Sequence, residues 1–146
     1  MRIFISHADQ DKELASQLAD QLSQAGFAVW NATQDIAPGD NWAKETGRAL
    51  DESDVLVALI TQGSLKSESL RGDIQHGLTS KKFERRLIPV LVGYAAFVSV
   101  RDVPWILLKM NPVYFESASR GSQEQGFREV VNRVREIAKQ ETNAPC

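Results

Sequence analysis

The chain has 146 residues, a hydrophobic fraction of 42%, a formal net charge of −2 and a single cysteine. That length fits one domain, and that apolar fraction can build a sizeable core. The balanced charge excludes a basic footprint for nucleic acid, the lone Cys146 excludes an internal disulfide, and no run approaches the ~20 apolar residues of a membrane span.

The first residues, Met1-Arg2-Ile3-Phe4-Ile5-Ser6, turn polar too soon for a signal peptide. A cytoplasmic protein without a membrane partner is the expectation. Cys146 lacks the four-residue prenylation frame and reads as incidental.

Arg2 to Ser6 forms an apolar strand that ends in Ser6-His7. From Asp9 to Gln24, Leu14, Leu18 and Leu22 recur at intervals of four, with Ala15 and Ala19 beside them, which makes one apolar helical face. Asp9 or Asp11 is expected to cap its start and Gly26 to end it. Phe27 to Trp30 reads as a second strand. A polar loop, residues 31–41, carries Asp35-Ile36-Ala37-Pro38-Gly39-Asp40. Asp40 then caps a helix from Asn41 to Glu52, with Trp42, Ala43, Thr46 and Leu50 near one face.

Val55 to Ile60 is apolar at every position, the pattern of a strand covered on both sides. A third helix spans Glu68 to Thr79, and the charged run Lys81 to Arg86 reads as a solvated helix end and turn. Leu87 to Val92 is a fourth strand in which Pro89 removes a ladder donor, favouring an edge or a bulge. Residues 94–112 are irregular and aromatic-rich. Val113-Tyr114-Phe115 is a short fifth strand. Ser122 to Glu141 is a helix on the pattern Phe127, Val130, Val131, Val134, Ile137, Ala138, and Thr142 to Cys146 is a frayed tail.

Strands alternating with helices predict a flavodoxin-like, doubly wound α/β domain over residues 1–141. Its five-stranded parallel sheet would run in the order 2-1-3-4-5, with helices on both faces. Ligands of such sheets sit beyond the carboxyl ends of the strands. Those ends are Ser6-His7, Trp30-Asn31, Thr61-Gln62 and Gly93-Tyr94.

Several chemistries fail on residues. Neither a phosphate-binding Gly-x-x-x-x-Gly-Lys-Ser/Thr nor a dinucleotide Gly-x-Gly-x-x-Gly is present. The third strand ends in Leu59-Ile60-Thr61, without a phosphoacceptor Asp. No Cys-x-x-Cys or His-Glu-x-x-His exists, so no metal is expected. His7 reads either as a pocket residue or as a turn residue with a satisfied ring. His76 reads as surface or packing. Trp30 and Trp42 either stack on a ligand base or fill the core.

The turns carry a resemblance. Phe4-Ile5-Ser6-His7, the acid Asp11, Asp35-Ile36-Ala37-Pro38-Gly39 followed by Trp42, and Ala49-Leu50-Asp51-Glu52-Ser53-Asp54-Val55 resemble the TIR (Toll/interleukin-1 receptor) domain, in its stand-alone prokaryotic form. The likeness runs to about Val92. It implies self-association or association with other TIR domains through the loop of Asp35, Ile36, Pro38 and Gly39, or cleavage of NAD⁺, in signalling or defence. NAD⁺ would be a substrate and not a bound cofactor.

Enzymatic members carry a Ser, an aromatic two residues on and a Glu four residues later. Here Ser67, Ser69 and Asp73 fall at those positions. The resemblance thus implies Asp73 as the catalytic carboxylate. Ser6, His7, Trp30, Trp42, Ser67 and Ser69 would bind substrate. Glu68 is a second carboxylate in the same stretch.

Cleaving the nicotinamide–ribose bond develops oxocarbenium character that a carboxylate stabilises. Asp is one methylene shorter than Glu, and a misplacement of ~1 Å can cost on the order of 10²-fold. The allowed products are ADP-ribose, a cyclic isomer or a base-exchanged nucleotide. The competing readings are a non-enzymatic TIR–TIR interaction module and a nucleotide-binding flavodoxin-like sensor.

Overall fold

A computed structural model describes residues 2–31, 42–61, 64–83, 86–92, 106, 109–110, 112–115 and 120–143. Its strands are β1 (Arg2–Ser6), β2 (Ala28–Asn31), β3 (Val55–Ile60), β4 (Leu87–Val92) and β5 (Val113–Phe115). They form one five-stranded sheet in the order β2-β1-β3-β4-β5, and every pairing is parallel. The longer helices among the described residues are α1 (Lys12–Gln24), α2 (Trp42–Glu52), α3 (Glu68–Thr79) and α4 (Arg120–Asn143). This is the doubly wound, flavodoxin-like arrangement expected from the alternation of elements.

Two apolar layers cover the sheet, and the period-2 alternation of a strand decides which residue joins which. Ile3, Ile5, Val55, Val57, Leu59, Val90 and Phe115 face α1 and α4, where Leu18, Leu22, Phe127, Val130 and Val134 meet them. Phe4, Leu56, Ala58, Ile60 and Leu91 face the other way, onto Leu50 of α2 and Leu70 and Ile74 of α3. All of β3 and β4 is buried, because each strand has helices on both sides.

Three local expectations change. Asp11 precedes α1 but makes no side-chain cap bond. Its carboxylate instead takes the Thr61 hydroxyl, a partner 50 residues away. Pro89 does not mark an edge, since β4 lies between β3 and β5. The Leu56 N–H donates to the Arg86 carbonyl, so alternate residues 86, 88 and 90 point their backbone groups at β3. Pro89 therefore turns its nitrogen toward β5, whose pairing among the described residues starts at Val90 opposite Val113, so no ladder bond is lost among them. Finally, α4 continues through Asn143, beyond the Glu141 expected from periodicity. Gly26 ends α1 as expected, at a φ of 97° that an L side chain rarely adopts.

Candidate functional site

Alternation along β1 sends Ser6 to the face of Phe4, toward α3. On α3, Leu70, Asp73, Ile74 and Gly77 are buried at helical spacing, so Asp73 occupies the inward stripe. The two polar residues meet there. The Ser6 hydroxyl donates to Asp73 Oδ2 at 2.7 Å across 67 residues of sequence. Ser6 is 2% exposed and Asp73 8%.

Burial pushes the Asp73 carboxyl up to about 6, against the pull of the Ser6 hydrogen bond and of positive charge on His76 and His7. A carboxylate so poised at the carboxyl end of a parallel sheet is the arrangement expected of a functional acid.

A second network lies at the end of β3. The Thr61 hydroxyl donates to Asp11 Oδ2 at 2.7 Å and accepts from Gln10 Nε2 at 3.1 Å. The Thr61 N–H donates to the buried Ser64 Oγ at 2.9 Å, and the Ser64 carbonyl accepts from the Ser67 N–H. Burial raises the Asp11 carboxyl above its ordinary value, while the Thr61 bond, the His7 charge and the Gln10 bond oppose this. Positive charge on His7 thus acts on both carboxylates. Its Nδ1 lies 2.8 Å from the Ala8 carbonyl, which can only accept, so Nδ1 carries the proton.

The other residues singled out in sequence divide. Ser67 is the N-cap of α3, its Oγ accepting from the Leu70 N–H at 3.3 Å, a local structural task. Trp30 packs partly buried against the layer of Phe4 and Leu50, and its buried Nε1–H has no acceptor among the described residues. His76 is exposed and stands edge-on to Phe83 at 6.3 Å.

Trp42 and Ser69 lie in α2 and α3, but their side chains are outside the described residues, as are Asp35, Ile36, Pro38 and Gly39. Sequence reasoning missed Thr61 and Gln10 as partners of Asp11. The available signal was that Thr61 is the first polar residue after an all-apolar strand.

An open cavity of about 410 Å³ lies at the carboxyl end of α3, lined by Gly77, Leu78, Ser80, Ile106 and Met110 among others. None of Ser6, His7, Asp11 and Asp73 lines it. Among the described residues no helix is long and apolar enough to cross a membrane, and no cluster of three or more His, Cys, Asp or Glu could hold a metal.

Comparison with known proteins bears on this geometry. The structure is similar to a metazoan TIR-STING receptor from C. gigas in complex with 2',3'-cGAMP, at 25% identity and a TM-score of 0.68. The match covers 86% of this chain but 38% of the receptor, so the chain spans about two-fifths of that protein's length. The TIR domain of the Toll-related receptor TRR-2 from Hydra magnipapillata matches at 19% identity and a TM-score of 0.67, over 91% of this chain and 97% of that one. The TIR domains of the activated Roq1 resistosome, which directly recognizes the pathogen effector XopQ, match at 15% identity and a TM-score of 0.67, over 91% and 98%. These last two likenesses carry the fold alone. No curated protein matches the chain in sequence. The family model for the TIR domain matches residues 3–131, nearly the whole sheet and its helices, and the chain therefore belongs to the TIR domain family.

Proposed function

We propose that this TIR domain cleaves the nicotinamide–ribose bond of NAD⁺, with Asp73 as the carboxylate that stabilises the ribosyl cation. The observation that carries the reading is the buried Asp73 at the sheet's carboxyl end, anchored by Ser6 at 2.7 Å and with its carboxyl raised to about 6. As the C1′–N bond breaks, its electron pair leaves with nicotinamide, which becomes neutral. Positive charge then develops on the ribose, where an ionised Asp73 opposes it in a site of low dielectric. In hydrolysis, water adds to C1′ and releases one proton, giving ADP-ribose, nicotinamide and H⁺. A ribose hydroxyl or another base in place of water gives the cyclic or exchanged product.

The test is incubation of concentrated protein with NAD⁺ and chromatography for nicotinamide. Asp73→Ala is expected to lower release by at least about 10²-fold, the usual scale for removing a charge-stabilising group. Asp73→Glu is expected to keep or raise release. Only the ionised carboxylate opposes the cation. Release should therefore fall about tenfold per pH unit below the Asp73 midpoint near 6 and level off above it. A profile flat from about pH 5 to about pH 8 would remove Asp73 from the reaction.

A second reading, a non-enzymatic interaction module, draws on a different observation. Ser67 is engaged as the cap of α3 and Asp73 is only 8% exposed, which leaves the short carboxylate little reach. On that reading, oligomeric wild type and Asp73→Glu both leave NAD⁺ intact. Self-association is proposed under either reading, through Asp35, Ile36, Pro38 and Gly39. Ile36→Asp and Pro38→Ala are expected to shift sedimentation at high concentration toward the monomer. Unchanged sedimentation in both variants argues against that loop. The proposed setting is cytoplasmic signalling or defence, in keeping with the family and the single cysteine.

A further inference from the structure

We infer that Ser6 is the positioning residue of this site: its hydroxyl anchors one oxygen of Asp73 and fixes the orientation of the carboxyl group, leaving the other oxygen for the ligand. The inference rests on the NAD⁺ reading for what the free oxygen meets, and on geometry for the rest.

Ser6 is the last residue of β1, and its Cα pairs with Ala58 of β3 inside the sheet. Its backbone is therefore fixed by the ladder and not by a loop. Alternation aims its side chain at α3, and the 2.7 Å contact to Oδ2 is a well-formed O–H···O hydrogen bond. A serine hydroxyl has one proton. Given to Oδ2, that proton is unavailable to a substrate, so the expected substrate contact of Ser6 becomes a contact with the acid. Oδ1 of Asp73 accepts no hydrogen bond from the described residues.

The charged groups acting on Asp73 are His7, which follows Ser6 out of β1, and His76, one turn further along α3. The Ser6 bond does not fade with pH. Among the groups that oppose the cost of burying the charge on Asp73, it is the largest contribution.

The test follows the Asp73 carboxyl carbon by NMR in the full chain, its resonance identified by its loss in Asp73→Asn. In wild type the midpoint is expected near 6. Ser6→Ala should raise it by about one pH unit, the scale of one hydrogen bond to a charged group. Ser6→Cys, close in size but a weak donor, should raise it as well, and Ser6→Thr should restore it. With NAD⁺, the acidic limb of nicotinamide release should move by the same amount, so kcat falls about tenfold below the midpoint while KM stays near wild type.

An unmoved midpoint in folded Ser6→Ala and Ser6→Cys overturns the proposal, as does a KM that rises at every pH with the midpoint fixed, which marks a substrate contact. If the midpoint moves but neither wild type nor Asp73→Glu releases nicotinamide, the positioning role stands and the NAD⁺ reading falls.

Discussion

Replacing Asp73 by Asn is expected to stabilise the fold above about pH 6 while abolishing nicotinamide release. The ordinary carboxyl value of 3.8 rises to about 6 in the folded chain, a difference of roughly 2 pH units. Below about pH 4 the group is protonated in both folded and unfolded states, and it adds no pH-dependent term. Between the two values the folded state binds the extra proton, so stability falls as pH rises. Above about 6 the folded chain carries a buried ionised carboxylate whose cost is, at 1.4 kcal/mol per unit, about 3 kcal/mol.

Asn is uncharged, nearly isosteric, and still offers an oxygen to the Ser6 hydroxyl. It should match wild type near pH 4 and exceed it near pH 8 by about 3 kcal/mol, or roughly 6–12 °C in Tm for a chain of this size. Thermal melts at the two pH values check this. A difference of equal size at both would show that charge burial is not its cause. A functional acid kept at a cost in stability is the trade expected of an active site.

Gly126→Ala is expected to destabilise the domain by about 2–3 kcal/mol, although Ala is the better helix former by ~1 kcal/mol. A Cβ at Gly126 would collide with Cε1, Cδ1 and Cζ of Phe115. These atoms belong to one rigid ring. Phe115 is fully buried on β5, and its ring meets Phe127 edge-on at 5.5 Å and 74°. Relief thus requires α4 to move off the sheet or Phe115 to leave its rotamer.

Phe115→Leu in the Gly126→Ala background should recover part of the loss, because a smaller side chain vacates the space. Gly72→Ala is the control: it is exposed on α3 with nothing within 4 Å of its Cβ, and should gain about 0.5–1 kcal/mol. Urea titration of the variants measures all of these. Equal stabilisation by both Ala substitutions would show that α4 is not seated on Phe115.

Much of this protein was legible in one dimension. The apolar runs Ile3–Ile5, Val55–Ile60 and Leu87–Val92 declare strands, the four-residue spacing of Leu14, Leu18 and Leu22 declares a helix, and their alternation implies the parallel order found. These signals are local, since burial of a strand or of a helical stripe needs only the period of its own apolar residues. The turn residues resemble the family to which the chain belongs.

What the residues do at the site was decided elsewhere. Asp73 could be read as a polar helix residue or as a family acid. It becomes a buried acid because α3 packs with Leu70, Asp73 and Ile74 inward and meets Ser6 across 67 residues. Asp11 could be read as a helix cap, and Thr61 takes its carboxylate from 50 residues away. Pro89 is tolerated inside the sheet because, among the described residues, β5 begins pairing one residue later, a matter of register between strands. Gly126 is required by a ring on another element. In each case the deciding partner is distant in sequence. Periodicity records which face of an element is buried, and only packing determines which groups then lie within hydrogen-bond or van der Waals reach.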